Sequence, residues 1–392
     1  MLRFAKSTCF LFLSLSLTTL HAQNIPEEFT RLTDSVLSEK PSTYRGLDSF
    51  LRPYRRDSVL MSYFIEQSIR VEYLDGLSYS YNQLGTLNRN ISNYQKAIDY
   101  HKKGLTAATE ADNTEFRIFS LNMLGVVYRR LDAIKTALDY NQEALRLAEA
   151  IEEPSEGIRR SKNVSLNSIG NIYQALEQYE RALDHYRQSY ILEEALGNKL
   201  GMAINLQNSG ECLEAQGKLD EALDYFERSL AFDTEINSVR GKAICGNSIS
   251  RIYIKQGRYE EAVELLNTNI DLALSTKDQH IIATAYNNLG WAQLKLENWD
   301  LAEENLTKGL ETAKENKFLR GICESYELLS DLATERGDFQ NALVFFRESD
   351  KYRRQVTNDV NIKYVNDVIF RYESEKQREL AQRLRQENEI VT

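Results

Sequence analysis

The chain has 392 residues, of which 42% are hydrophobic and 27% charged, a composition typical of a folded helical protein. Its net charge of −10 argues against binding nucleic acid or an anionic membrane through a general positive field. Length alone would predict two or three domains.

Residues 1–22 have the features of a secretory signal peptide. Arg3 and Lys6 give a positive start, residues 10–20 form an apolar core, and cleavage is predicted near Ala22. The apolar run is too short for a comfortable membrane span. We therefore predict an exported, periplasmic protein.

Residues 23–72 are predicted to form short helices, because Pro41 and Pro53 interrupt them. Asp57-Ser58 is a typical helix start. This segment does not share the pattern that follows it, which predicts a degenerate first repeat or an N-terminal cap.

Residues 73–353 contain a repeat of 40 residues, stretched once to 45. A small residue recurs in it, at Gly85, Gly125, Gly170, Gly210, Ser250, Gly290 and Ser330. An alanine follows each small residue by twelve positions, at Ala97, Ala137, Ala182, Ala222, Ala262, Ala302 and Ala342. A fixed period of this kind is typical of an array of helix pairs. Glycine within a helix costs about 1 kcal/mol relative to alanine, so its recurrence predicts a close approach of helix A, centred on the small residue, to helix B, centred on the alanine.

The pattern resembles the tetratricopeptide repeat (TPR) family, which also has an aromatic residue before the alanine, here Tyr94, Tyr179, Tyr259, Trp299 and Phe339. Two features differ: the usual period is 34 residues, and the family's proline at the end of helix B is missing. The longer period is similar to that of kinesin light chains and bacterial peptide-sensing regulators. The resemblance implies an all-α, right-handed superhelical solenoid of about seven helix pairs with a peptide-binding groove.

The stretched interval places five extra residues near 151–157, around Pro154 and Gly157. We predict a longer loop there, with a contact loop or a bend as the alternative.

Residues 354–392 are predicted to form a long charged helix, usable as a connector or as a homodimerising coiled coil. The segment resembles the connector of bacterial membrane signalling proteins, in which an exported TPR region precedes a membrane span and a histidine kinase or helix-turn-helix output domain. That resemblance implies the sensory region of a signalling system, attached to a membrane only if the chain continues beyond Thr392.

The candidate binding residues lie three positions before the small residue, where the family's groove lies. They form a series of amides, Asn82, Asn122, Asn167, Gln207, Asn247 and Asn287, followed by Glu327 in the last repeat. Primary amides both donate and accept hydrogen bonds, so the series could grip the backbone of an extended peptide. The alternative is that each amide orders neighbouring helices within the array.

Other groove positions would supply selectivity, through Arg129, Arg251 and Trp291. They predict a groove that is basic in the first two repeats and in the fifth and sixth, and acidic in the seventh. A partner of alternating charge with an apolar group near Trp291 fits this pattern. The alternative is an ordinary solvated surface.

An enzyme is not predicted, because the sequence has no phosphate-binding loop, nucleophile elbow or HExxH motif. The histidines and cysteines do not have metal-site spacing, so no cofactor or metal is expected, and Cys212, Cys245 and Cys323 are interpreted as buried packing thiols. The sequence therefore predicts a non-enzymatic protein that binds a protein or peptide, as an exported sensory region or, alternatively, as a free-standing periplasmic scaffold or assembly factor.

Overall fold

The computed structural model describes residues 25–91, 93–131 and 133–356, and these ranges contain helices and no strand. The first three helices are α1 (Glu27–Glu39), α2 (Tyr44–Leu51) and α3 (Ser58–Arg70). The A helices are α4 (Leu74–Asn90), α6 (Thr114–Arg130), α8 (Glu156–Ala175), α10 (Lys199–Ala215), α12 (Val239–Lys255), α14 (Gln279–Lys295) and α16 (Leu319–Glu335). The B helices are α5 (Tyr94–Glu110), α7 (Ile134–Glu149), α9 (Tyr179–Ala195), α11 (Leu219–Glu235), α13 (Tyr259–Thr276), α15 (Trp299–Glu315) and α17 (Phe339–Val356). The predicted all-α repeat fold is confirmed.

The chain divides into two compact units, unit 1 up to Ser165 and unit 2 from Leu166. Unit 1 contains α1 to α7 and the first half of α8. Unit 2 contains the second half of α8 and the helices from α9 onward. The A helices α10, α12 and α14 each pack on the B helix that follows and on the next A helix, and α16 packs on α17.

In the five repeats whose small residue is glycine, that glycine lies against a larger side chain of helix B, sixteen positions later in the sequence. A Cβ atom added to Gly290 would lie 2.6 Å from Leu306 Cγ and 3.1 Å from the Ala302 carbonyl oxygen. At Gly210 the added atom would lie 2.5 Å from the Phe226 ring. The alanine therefore permits the close approach of the two helices, as predicted, while the space beside the glycine is filled by a side chain that the sequence pattern did not single out.

Left-handed backbone ends the helices at the turns. Between helix A and helix B this conformation falls on Gly217, Gly257 and Gly337, with φ between 74° and 78°. Glycine adopts such angles without steric cost. In two other repeats Glu177 and Glu297 occupy the same place.

We predict a longer loop from the five-residue expansion, but the structure uses only part of the expansion in the loop. α7 ends at Glu149 and α8 begins at Glu156, but α8 has 20 residues where α6 and α10 have 17. Part of the expansion therefore extends the first turn of α8. Ser155 accepts a hydrogen bond from Ile158 N through its hydroxyl oxygen, which caps the start of that helix.

The N-terminal segment begins with the three short helices α1 to α3, and the predicted helix start at Asp57-Ser58 is confirmed. The Asp57 carboxylate accepts hydrogen bonds from Val59 N and Leu60 N. The predicted signal peptide, residues 1–22, and residues 357–392 of the predicted C-terminal helix lie outside the described residues.

Cys212, Cys245 and Cys323 are buried and free, as predicted. Burial raises the pKa of the Cys212 and Cys245 thiols to about 12, so neither is a reactive thiolate near neutral pH. Among the described helices, none is long and apolar enough to cross a membrane.

Candidate functional site

The amides of the predicted binding series lie between helices instead of projecting from them. Five are buried, namely Asn82, Asn122, Gln207, Asn247 and Asn287, and Asn167 is half-buried. In the last repeat, Glu327 is half-buried and pairs with Arg353. This is the arrangement expected if the amides order the array, and a direct role in binding remains a prediction.

In unit 1, Asn82 uses both ends of its amide. Its Nδ2 donates to Ser78 O at 2.9 Å and to Ser120 Oγ at 2.8 Å. Its Oδ1 lies 2.8 Å from His101 Nδ1 on helix B. Because the amide nitrogen already makes two bonds, His101 Nδ1 must be the donor to Oδ1. The side chain thus joins its own helix pair to the next A helix.

Asn247 makes the equivalent connection in unit 2. Its Nδ2 donates to Ile281 O on the next A helix at 3.0 Å, and its Oδ1 accepts from Asn269 Nδ2 on helix B at 2.7 Å. Asn287 accepts from Ser325 Oγ at 2.8 Å. The bonds to Ile281 and from Ser325 tie one repeat to the next, and the bond from Asn269 joins the two helices of one repeat.

A second polar series, missed by the sequence analysis, receives these bonds. It lies five positions before the small residue, at Ser80, Ser120, Ser165, Asn205, Cys245 and Ser325, with Ala285 as the exception. Asn122, for example, accepts from Ser165 Oγ at 2.8 Å, and Asn167 donates to Asn205 at 3.0 Å. Short polar residues at a repeated, otherwise apolar helical position were the available signal.

The positive charge predicted for the fifth repeat is neutralised by the fourth. Arg251 donates to both Glu214 oxygens, at 2.7 and 2.6 Å, and Lys255 Nζ lies 2.7 Å from Glu214 Oε1. The two cations hold the pKa of Glu214 below its usual value, despite the opposing effect of burial. The charge of Arg251 therefore serves an ion pair between repeats, and the predicted role of Arg251 in binding stays a prediction.

Unit 1 has a basic surface near the C-terminal ends of α4 and α6, where Arg89, Arg129 and Arg130 lie. Arg89 is half-buried and contacts Met123 Sδ at 3.9 Å. Burial, and then the charge of Arg130, lower the pKa of Arg89. Arg129, the predicted groove residue, is half-buried beside Arg130 on α6.

Positions are counted below from the small residue of each repeat, and the helix A face is defined as the surface formed by the side chains at positions −10, −6, −2 and +1. In unit 2, Trp291 lies on it at +1 and packs half-buried near Ile254 and Ala292. Ile204, at −6, is 45% exposed. Trp291 and Ile204 lie two repeats apart, so they are two separate apolar positions on this face.

In unit 1 the helix A face is covered by α2 of the same chain. The Tyr44 ring lies 5.3 Å from the ring of Tyr79 and 4.8 Å from that of Phe119, both at position −6. Gln83, at −2, donates to the Tyr44 hydroxyl at 3.3 Å. Glu115, at −10, accepts from Tyr44 N at 2.9 Å.

Asp48 fixes α2 in this place. Its carboxylate is nearly buried and accepts from Tyr79 OH at 3.0 Å, Arg52 Nε at 3.0 Å and Arg55 Nη1 at 2.7 Å. Burial is the main cause that raises the pKa of Tyr79, so the hydroxyl stays protonated and acts as a donor. The helix A face of unit 1 thus holds a polypeptide segment through aromatic packing and a buried carboxylate.

The other side of unit 2 has a cavity of about 500 Å³ between α9, α10 and α11. Its lining includes Tyr190, Tyr225 and Arg228, with acidic and basic side chains in similar number. Within residues 25–91, 93–131 and 133–356, no group of three or more His, Cys, Asp or Glu side chains is placed to hold a metal ion.

Comparison with known families matches the tetratricopeptide repeat model over residues 77–150, 162–235 and 245–315, which is more than half of the chain. The chain belongs to the tetratricopeptide repeat family. The 40-residue TPR array explains why the small residue, the alanine and the amide recur with the same spacing. No curated protein matches the sequence.

Solved structures with a similar fold include bacterial TPR regulators. Aspartyl phosphate phosphatase F from Bacillus subtilis is 18% identical, with a TM-score of 0.61 over 84% of this chain and 85% of that one. The apo quorum sensor NprR from B. thuringiensis is 18% identical, with a TM-score of 0.60 over 84% of this chain and 100% of that one. A Rap conjugation regulator of plasmid pLS20, solved with the Phr* peptide, is 15% identical, with a TM-score of 0.61 over 85% and 97%. At these identities the likeness establishes the fold alone.

Proposed function

We propose that this TPR protein is a non-enzymatic binding protein that recognises a peptide or protein segment on the helix A face of unit 2. One observation carries the proposal: in unit 1 the equivalent face already holds a polypeptide segment, α2, through Tyr44 and Asp48. The apolar and charged side chains of unit 2 provide the same type of surface. The similar Rap regulator of pLS20, whose structure includes the Phr* peptide, supports a peptide as the partner.

The binding proposal is tested with the full chain immobilised and a random peptide library displayed on phage. We expect enrichment of a peptide family that binds the isolated chain with micromolar affinity, as measured by isothermal titration calorimetry. A library that shows no enrichment over a blank surface would contradict the proposal.

The proposed setting is the periplasm, where the protein would act as the sensory region of a signalling system. This part of the proposal rests on the signal-peptide features of residues 1–22 and on the charged segment 354–392. We expect the chain isolated from its own cells to begin at Gln23 and to fractionate outside the cytoplasm.

Intact mass and N-terminal sequencing after cell fractionation check the cellular location. A membrane-bound chain heavier than the 392-residue sequence would support the sensory role. A soluble periplasmic chain that ends at Thr392 would favour the free-standing scaffold, and a cytoplasmic chain that keeps Met1 would contradict export.

A further inference from the structure

Position −6 has a different environment in the two units. In unit 1, Tyr79 occupies it and is 0% exposed, because Tyr44 and Asp48 of α2 pack against it. In unit 2, Ile204 occupies it and is 45% exposed. Among the described residues, position −6 is thus covered by a polypeptide segment at Tyr79 and is open at Ile204.

The exposed apolar surface of unit 2 continues beyond one side chain. Leu200, one turn before Ile204 on α10, is 48% exposed. Ile244 is the −6 residue of the next A helix and is half-buried, and α10 packs against α12. Ile204 and Ile244 occupy the −6 place that Tyr79 and Phe119 have in unit 1, where an aromatic ring binds, and Leu200, at position −10, adds apolar surface beside Ile204.

The residue at position −6 becomes polar toward the last repeat, where it is Thr284 in the sixth repeat and Glu324 in the seventh. Glu324 places a half-buried carboxylate at position −6 of the last A helix, α16. Burial raises the pKa of Glu324 above its usual value, and the charge of Arg251 opposes this effect.

The charges around the row favour a basic partner group. Arg251 and Lys255 both bind Glu214, which limits what they offer to a ligand. Asp331 and Glu335 are exposed on α16, in the same repeat as Glu324. Burial raises the pKa of Asp331, the charge of Lys295 opposes this effect, and the negative charges of Glu327 and Glu335 add to it. The α16 end of the helix A face therefore has an excess of negative charge, complementary to lysine or arginine.

We propose that the helix A face of unit 2 binds a peptide segment that places an aromatic side chain on Leu200, Ile204 and Ile244 and a lysine or arginine side chain at Glu324. This inference rests on the proposed binding function and names the class of its partner. The aromatic residue takes the role of Tyr44 on α2, and the carboxylate provides charge selectivity.

The test uses the full chain and peptides selected from the same phage library. We expect the enriched family to share an aromatic and a basic residue at a fixed separation. Ile204→Asp and Glu324→Gln should each weaken binding of a selected synthetic peptide at least tenfold by calorimetry. The matched controls are Ile191→Asp and Glu264→Gln, which alter exposed residues on α9 and α13 and should change affinity less than twofold.

Two further variants keep the result interpretable. Ile204→Ser removes the apolar surface without adding charge, and N-acetylation of the peptide removes the terminal amine while retaining the basic side chain. Ile204→Ser should weaken binding, whereas acetylation should leave it unchanged. Peptides that lack the aromatic or basic residue, affinities unaffected by Ile204→Asp and Glu324→Gln, or dependence on the terminal amine would overturn this inference and leave the binding function standing. Absence of any selected peptide would overturn both.

Discussion

Replacing Asn247 by alanine is expected to lower the free energy of unfolding by about 2–3 kcal/mol, because it removes an acceptor from buried Asn269 and leaves a small cavity. Ile281 O also loses a donor, although it belongs to a helix. The effect should appear as a lower midpoint in urea unfolding with an unchanged slope. The side chain would then serve the array even if no ligand were present.

Asn267→Ala is the matched control, since Asn267 is an exposed asparagine on the B helix α13, outside the helix A face. It should change stability by about 0.5 kcal/mol or less. A double substitution of Asn247 and Asn269 by alanine should cost less than the sum of the single changes, because the two amides share one bond. Equal stability of Asn247→Ala and Asn267→Ala, together with weaker peptide binding by the former alone, would instead assign Asn247 to the ligand.

His101 is expected to make the stability of unit 1 depend on pH. Its imidazole is fully buried, and burial, with a contribution from the charge of Arg89, lowers its pKa to about 3. The unfolded chain takes up a proton near the ordinary pKa of 6.5, whereas the folded chain does not until about pH 3. The stabilising effect is complete above pH 6.5 and is lost as the pH falls, by about 2 kcal/mol between pH 7 and pH 5.

Urea unfolding at the two pH values measures this loss, and His101→Gln separates it from other titrating groups. Glutamine can still donate to Asn82 Oδ1 but does not titrate, so the variant should lose about 2 kcal/mol less than the original chain over the same interval. An identical pH profile for His101→Gln and the original chain would show that His101 is protonated in the folded protein.

The covering of one helix A face by α2 could not be foreseen from the repeat pattern. Pro41, Pro53 and Asp57 predict short helices before the array, and the structure contains them. The residues of the helix A face that contact Tyr44 and Asp48, namely Tyr79 and Phe119, however, lie 31 to 75 residues away in sequence. Only the folded chain brings them together, because long-range side-chain packing leaves no periodic mark in the sequence.

The amide series shows the same division. Its recurrence predicted a repeated role, but the sequence left binding and internal bonding as alternatives. The structure places Asn82 and Asn247 between two A helices and a B helix, where buried amides need bonding partners. The charge of Arg251 was likewise visible in the sequence, while its neutralisation by Glu214 depends on how α10 packs against α12.

The sequence by itself determined the helix pairs, their 40-residue period and the small residues where helices meet, because these follow from local periodicity and from the volume of single side chains. Tertiary structure alone decided which polar side chains are bonded within the array and which stay on its surface. Ion pairs and side-chain amide hydrogen bonds between repeats join residues about 40 positions apart. The exposure of Ile204 and the burial of Asn247 therefore depend on the helices that pack beside them and not on either residue's own helix.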